Sequence, residues 1–214
     1  MTEPTNDNNP SSRRFGRRRR GEEKEQLKGL ILKVASELFI EHGYSAFSMR
    51  KLAATLGYSP ATLYLYYHDK DHLLFSVVDD AFTRFRTELA QAAGSTSDPW
   101  ERLDRIGEAY VQFGFTYSTY YQLMFMWRVD YLFEARQGEE VPRLEAFQVL
   151  FDSVKYAQDH HAVKPGDTYV YSDMLWAALH GVVALAMQMP MFTPERTANL
   201  VDQTKKMLYM TLRS

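Results

Sequence analysis

The sequence has no cysteine. That excludes a disulfide framework, a thiolate metal site and a cysteine nucleophile. It also has no glycine-rich phosphate loop, no HExxH pattern and no plausible serine–histidine–aspartate order. Those absences weigh against an enzyme. His160-His161 sits in a polar turn without partners. His68 and His72 have the i, i+4 spacing of a zinc pair, but no glutamate or third ligand lies near, so neither a metal nor a cofactor is expected. Long apolar runs are missing too. Residues 174–191 are interrupted by His180 and Gln188 and meet Pro190, which reads as too short and too broken for a membrane span. The N-terminus is polar and arginine-rich with no apolar stretch, unlike a secretory signal. The expectation is a soluble cytoplasmic protein with no membrane partner.

What is present is charge asymmetry. The net charge is −2. Residues 1–60 hold 11 Lys/Arg against 7 Asp/Glu, and residues 61–214 hold 14 against 20. A basic head on an acidic body points to a polyanionic partner at one end.

Residues 1–22 read as a disordered basic arm, because Arg13, Arg14, Arg17, Arg18, Arg19 and Arg20 repel one another and have no apolar surface to bury. A first helix is expected over residues 23–42. Leu27, Leu30, Ile31, Val34, Ala35, Leu38 and Phe39 form its stripe, and Gly43 is placed to end it. Ser48 is a candidate N-cap for a short amphipathic run carrying Met49, Leu52, Ala53 and Leu56. After Gly57, Ser59-Pro60 reads as an N-cap followed by proline at the first helical position. A second short helix then carries Ala61, Thr62, Leu63, Tyr64 and Tyr66. Two short helices across a glycine-containing turn have the form of a helix-turn-helix, whose second helix enters the DNA major groove. Asp69 can cap a long helix from Lys70, with Leu73, Leu74, Val77, Val78, Ala81, Phe82, Phe85 and Leu89 as its stripe.

The remainder reads as helical. One element is rich in aromatics from Trp100 to Tyr117, and a short one follows over residues 120–127. Residues 128–140 look like a mobile connection. A helix is expected over residues 141–160, and another over 169–189, apolar on nearly every side and so expected to be buried on more than one face. Thr193-Pro194 opens the last. The aromatics between Tyr110 and Trp127 fit either a packed core or a ligand cavity.

The block from Glu41 to Leu73 resembles the N-terminal domain of the tetracycline-repressor (TetR-like) family. Its marks are EHGY at 41–44, FSMRKLA at 47–53, GYSPATLYLYY at 57–67 and KDHL at 70–73. Trp176-Ala177-Ala178-Leu179-His180-Gly181 also resembles a Trp-x-x-x-His-Gly signature in one branch of that family. The resemblance implies an all-α chain: an N-terminal three-helix helix-turn-helix domain, residues 23–69, followed by a helical effector-binding and dimerisation domain, residues 70–214. It implies DNA contact by Ser48, Arg50, Ser59, Ala61, Thr62, Tyr64, Tyr66 and Lys70, with Arg17, Arg18, Arg19 and Arg20 adding sequence-independent affinity. Leu63 and Tyr67 match core positions. The family often has Lys-Gly where this chain has Pro60-Ala61, His or Arg where it has Leu65, and Phe where it has Tyr67. Base readout then falls to van der Waals contact, for instance with thymine methyls. Candidate effector contacts are Tyr110, Phe113, Tyr117, Tyr121, Phe125, Trp176 and His180, with a packed core histidine the competing account of His180. The partners implied are a palindromic double-stranded DNA operator, an apolar or amphipathic small-molecule effector, and a second copy bound through the last two helices. The functional expectation is a repressor released by its effector. A DNA binder with no effector, relying mainly on the arm, is the alternative.

Overall fold

The computed structural model describes residues 10–127 and 142–214. These residues are helical, with no named strand among them. The expected connection over residues 128–140 lies outside the described residues, as do residues 1–9. The chain divides into two compact units, Met1–Val77 and Val78–Ser214.

In the smaller unit, α1 spans Pro10–Ala46. It therefore begins well before residue 23, and residues 10–22 are helical rather than disordered. Arginine is a good helix former, and extending an existing helix adds residues without a new nucleus. The side chains of Arg17 to Arg20 lie outside the description. Gly43 breaks the helix at φ 73° and ψ 164°. Ile31, Ala35, Leu38 and Phe39 are buried, joined by Leu32 and Ser36. Leu30 departs from the expected stripe, at 45% exposed. Phe39 stacks on Phe47 at 4.0 Å between ring centroids.

Next, α2 is Met49–Leu56 and α3 is Pro60–Tyr64. Ser48 and Ser59 cap them as their sequence positions predict. Gly57 ends α2 in the left-handed region at φ 73°, ψ 23°. A residue with a Cβ would be strained there. Then α4 runs Lys70–Gly94, with Asp69 Oδ1 accepting from His72 N at 2.7 Å. The unit boundary falls inside α4, so Leu73, Leu74 and Val77 complete the smaller core, whereas the sequence reading placed the break at residue 70.

The larger unit contains the rest of α4, α5 (Pro99–Thr116) and α6 (Ser118–Gln122), which continues into a π-helical turn, Leu123–Trp127. It is completed by α7 (Pro142–Asp159), α8 (Thr168–Gln188) and α9 (Pro194–Leu212). Asp98, Asp167 and Thr193 cap α5, α8 and α9. Leu103, Val154, Ala157, Val163, Leu175, Leu208 and Leu212 form one apolar cluster. Trp100 Nε1 donates to Ala162 O at 3.1 Å, and Lys164 N to Leu212 O at 2.9 Å, tying the chain end to the α7–α8 turn. Gly114 lets α5 approach α8, because an added Cβ would lie 2.6 Å from Val183 Cγ1.

The expectation that the helix over residues 169–189 is buried on more than one face fails within one chain. Val170, Met174, Leu185 and Met189 of the α8 segment are 51%, 38%, 41% and 44% exposed. They follow helical spacing, with Ala177 and Gly181 between them, so they form one stripe. On α9, Met207 and Met210 are 56% and 81% exposed. At 21 residues α8 is long and apolar enough to cross a membrane by length and composition alone, a test that the core helix of a soluble protein also passes. It carries Asp173 and His180, and His180 is hydrogen-bonded inside the unit.

Candidate functional site

In the smaller unit the candidate surface is built on α2 and α3. A five-residue helix cannot persist alone. Ser59 Oγ accepts from Thr62 N at 3.2 Å and pairs with Thr62 Oγ1 at 2.9 Å, while Leu63 and Tyr67 are buried. With these fixed, Ala61 and Leu65 face outward, Leu65 at 82% exposed. Tyr64 flanks them at 50% and Tyr58 of the turn at 44%. The centre of the outer face is thus apolar and uncharged. The sequence reading did not include Tyr58 or Leu65 among its contacts.

Other predicted contacts stand differently. Ser48 Oγ accepts from Lys51 N at 3.1 Å, so its first role is the cap. Arg50 is exposed and makes no ion pair with the described residues. Tyr66 lies past the end of α3 in the following turn, partly buried, its ring 6.0 Å from Lys24 Nζ. Lys70 is folded back: its Nζ sits 4.0 Å from the Tyr44 ring centroid and donates to Tyr44 O at 3.2 Å. Tyr44 hydroxyl in turn donates to Asp71 Oδ1. His68 and His72 stack at 4.3 Å, and His68 Nδ1 lies 2.6 Å from Asp69 Oδ2. The backbone hydrogen bond from His72, aided by His68, holds the Asp69 carboxyl below its usual range. Among the described residues no group of His, Asp or Glu is arranged to hold a metal ion.

The larger unit contains a cavity of about 610 Å³. Its walls come from Phe82, Phe85 and Leu89 of α4, Ile106 and Tyr110 of α5, Phe125 of the π-helical turn, Leu144, Phe147 and Leu150 of α7, and Trp176 and His180 of α8. The volume suits a drug-sized molecule, and the lining is mostly apolar with few polar groups. Of the predicted contacts, Tyr110, Phe125, Trp176 and His180 line it. Phe113, Tyr117 and Tyr121 do not. Phe113 is fully buried between the Phe85 and Tyr117 rings, and Tyr117 lies under the Arg84 guanidinium at 5.1 Å. Tyr121 is fully buried behind His180. Sequence reasoning missed the contributions of α4 and α7, together with Arg143 and Asp173, because an apolar stripe looks the same beside a filled space or an empty one.

One end of the cavity is polar. Trp176 Nε1 donates to Tyr110 Oη at 3.2 Å, Tyr110 and Tyr121 hydroxyls are 2.8 Å apart, and Tyr121 Oη is 2.6 Å from His180 Nδ1. Tyr110 Oη is also 3.2 Å from Nδ1. Burial pushes both tyrosine hydroxyls well above their usual range, so they stay protonated. Burial lowers His180 below the usual imidazole value of 6.5, so it is neutral at pH 7. With Nδ1 unprotonated the two hydroxyls donate along the chain and His180 accepts; with the proton on Nδ1 the imidazole donates to a tyrosine hydroxyl instead.

A stability prediction follows. An unfolded histidine takes up its proton near pH 6.5, whereas folded His180 resists until lower pH. Protons therefore favour the unfolded state in that interval, and stability falls as pH drops through it. Denaturant midpoints measured from pH 7.5 to 5 should fall more steeply for the native protein than for His180→Asn. Parallel profiles would contradict the assignment.

Residues 31–77 match the model of bacterial regulatory proteins, tetR family. Residues 103–208 match that of the tetracyclin repressor-like C-terminal domain. The transcriptional activator FasR of Mycolicibacterium smegmatis is 30% identical over 128 residues, which is 59% of this chain and 58% of FasR. Rv1816, a transcriptional regulator of Mycobacterium tuberculosis, is 28% identical over 88 residues, covering 41% of this chain and 37% of its own. The chain thus matches only about half or less of these relatives' lengths. Among solved structures, a TetR family regulator from Marinobacter aquaeolei aligns at TM-score 0.73 and 18% identity, covering 90% of this chain and 98% of that one. The fatty acid degradation regulator FadR of Bacillus halodurans aligns at TM-score 0.67 and 19% identity, covering 84% and 92%.

Proposed function

The chain belongs to the TetR family of bacterial regulatory proteins, and on that premise we propose that it is an effector-responsive repressor that binds a palindromic operator as a homodimer. The observation that carries this reading is the pairing, in one chain, of a capped α2–Gly57–α3 motif with an open outer face and a 610 Å³ apolar cavity with one polar end. Ala61, Tyr64 and Leu65, flanked by Thr62, read bases. Arg50, Lys51, Lys70 and the arginines at 17–20 hold phosphates, Lys70 after leaving Tyr44. Two-fold protein symmetry requires two half-sites.

The apolar stripe on α8, with Met207 and Met210 on α9, is the surface a second copy covers. Ala177 and Gly181 permit close approach there, since nothing lies within 4 Å of a Cβ added at Gly181. The effector enters the cavity and favours a dimer whose recognition helices no longer match the operator. One helix, α4, contributes both Lys70 and the cavity wall residues Phe82, Phe85 and Leu89, which gives a covalent route for that coupling. A dimer seated on a promoter blocks transcription without further contacts, which favours repression although FasR is named an activator. The protein acts where the chromosome is, in the cytoplasm, and has no catalytic role.

Binding to the DNA upstream of its own gene, against random DNA across 50–300 mM salt, tests the reading. The expected preference is roughly 10³-fold or more. A steep salt slope without preference would instead support the arm-driven binder. Deleting residues 1–20 should weaken binding to both DNAs alike and, with the arginines at 17–20 gone from both protomers, flatten the log–log salt slope by about 7. Loss of preference with little change on random DNA would contradict the role given to the arm.

A further inference from the structure

The side chains of α3 restrict which feature of a base pair it can recognise, on the premise that α3 is the recognition helix. From Leu52 to Tyr67 the chain has no Arg, Lys, Asn, Gln, Asp or Glu. Those are the side chains that make paired hydrogen bonds to guanine or adenine, or accept from the cytosine amino group. The nearest of them, Arg50 and Lys51, stand on α2, the helix that crosses the phosphate backbone in this motif. Lys51 Nζ lies 2.5 Å from His42 Nε2.

The polar atoms that α3 does have are largely engaged. Ser59 Oγ and Thr62 Oγ1 pair at 2.9 Å, and Ser59 Oγ also takes the Thr62 N–H. Tyr66 is partly buried beside Lys24. What remains outward is Ala61, Leu65 and the Tyr58 and Tyr64 rings. Leu65 keeps right-handed helical backbone at φ −71° and ψ −20°, so it shares one face with Ala61. A tyrosine hydroxyl donates or accepts, so it fits either purine and selects neither. The apolar surface of Ala61 and Leu65 has one apolar counterpart in the major groove, the methyl at C5 of thymine.

We propose that α3 recognises C5-methylated pyrimidines as a class, so that 5-methylcytosine opposite guanine can replace thymine opposite adenine and cytosine methylation creates binding sites for this protein. Both bases place the methyl at the same point of the groove. They differ in an O4 acceptor against an N4 amino donor and in the purine opposite, and α3 has no side chain that tells these apart. Uracil keeps every hydrogen-bonding group of thymine and lacks only the methyl. Burying one methyl is worth about fourfold in affinity, hence roughly 15-fold for one methyl in each of two half-sites.

The test enriches DNA with the full-length protein from three pools of duplexes with a randomised centre. The first contains thymine, the second uracil in its place, and the third uracil together with 5-methylcytosine in place of cytosine. The thymine pool should yield a palindrome with thymine at paired positions, and the same sequence made with uracil should bind roughly 15-fold more weakly. The third pool should restore the affinity, with 5-methylcytosine at those positions. A uracil form as tight as the thymine form overturns the proposal, and so does a third pool that recovers no affinity. Removing a methyl also alters DNA shape, so a variant separates the two causes. Leu65 is 82% exposed, and in Leu65→Ala the thymine-to-uracil affinity ratio should fall toward one with the melting curve nearly unmoved. A ratio that keeps its native value in that variant assigns the effect to shape and overturns the contact. A thymine pool that yields no preferred sequence removes the operator reading and this proposal together, whereas a preferred sequence indifferent to the methyl removes the proposal alone.

Discussion

Leu63→Ala should abolish specific DNA binding while leaving the larger unit folded. Leu63 is fully buried and is the only buried residue of the five-residue α3. Truncating such a leucine costs about 2–5 kcal/mol, from lost transfer energy plus the cavity left behind. A unit of this size has a total stability of only about 4–10 kcal/mol. Without the anchor, only the Ser59 cap and Tyr67 hold a helix too short to stand alone. Thermal unfolding should gain an early transition, operator affinity should drop below detection near it, and the transition of the larger unit should be unchanged. Leu63→Met should restore most of both properties, since it keeps volume.

The contrasting substitution lies two residues on. Leu65 is 82% exposed, so Leu65→Ala should leave the melting curve nearly unmoved. It should still relax sequence preference at one position per half-site by about 1 kcal/mol, at the low end for a base contact, if its methyls meet a thymine. Wild-type operator binding by Leu63→Ala would show that α3 does not carry the readout. The pair separates what holds the helix from what reads with it.

The difference between these leucines also explains how much was legible beforehand. Caps and turns are local, so Ser48, Gly57, Ser59-Pro60, Asp69 and Thr193-Pro194 announce their elements in sequence. The leucine at 63 could be assigned inward because α3 follows directly from its cap. The cavity is a different problem. Tyr110, Phe113 and Tyr117 share α5, but Phe113 is turned away by its rotation around the helix, and Tyr117 lies two turns beyond Tyr110 at the helix end. Composition could flag the aromatics without choosing among them. Arg143 and the α4 wall were invisible because their role depends on which helices stand opposite. Residues 10–22 failed for another reason: like-charge repulsion argues against a compact core, yet it does not prevent continuation of a helix already nucleated downstream.

The exposed face of α8 carries the second large prediction. Leu185 and Met210 are 41% and 81% exposed in one chain. In a two-fold interface every substitution occurs twice, so Leu185→Glu with Met210→Glu introduces four carboxylates into an apolar contact. Taking each out of water without a partner costs several kcal/mol, more than a typical interface can absorb. Sedimentation should show a monomer in place of a dimer, with the helical content preserved. Operator affinity should fall by roughly 10²–10⁴, because the second half-site is then met at bulk rather than at effective concentration. Binding to an isolated half-site should not change, which distinguishes a lost partner from a damaged recognition helix. A double variant that remains dimeric would place the two-fold contact elsewhere. The stripe of Val170, Met174, Leu185 and Met189 would then need another occupant.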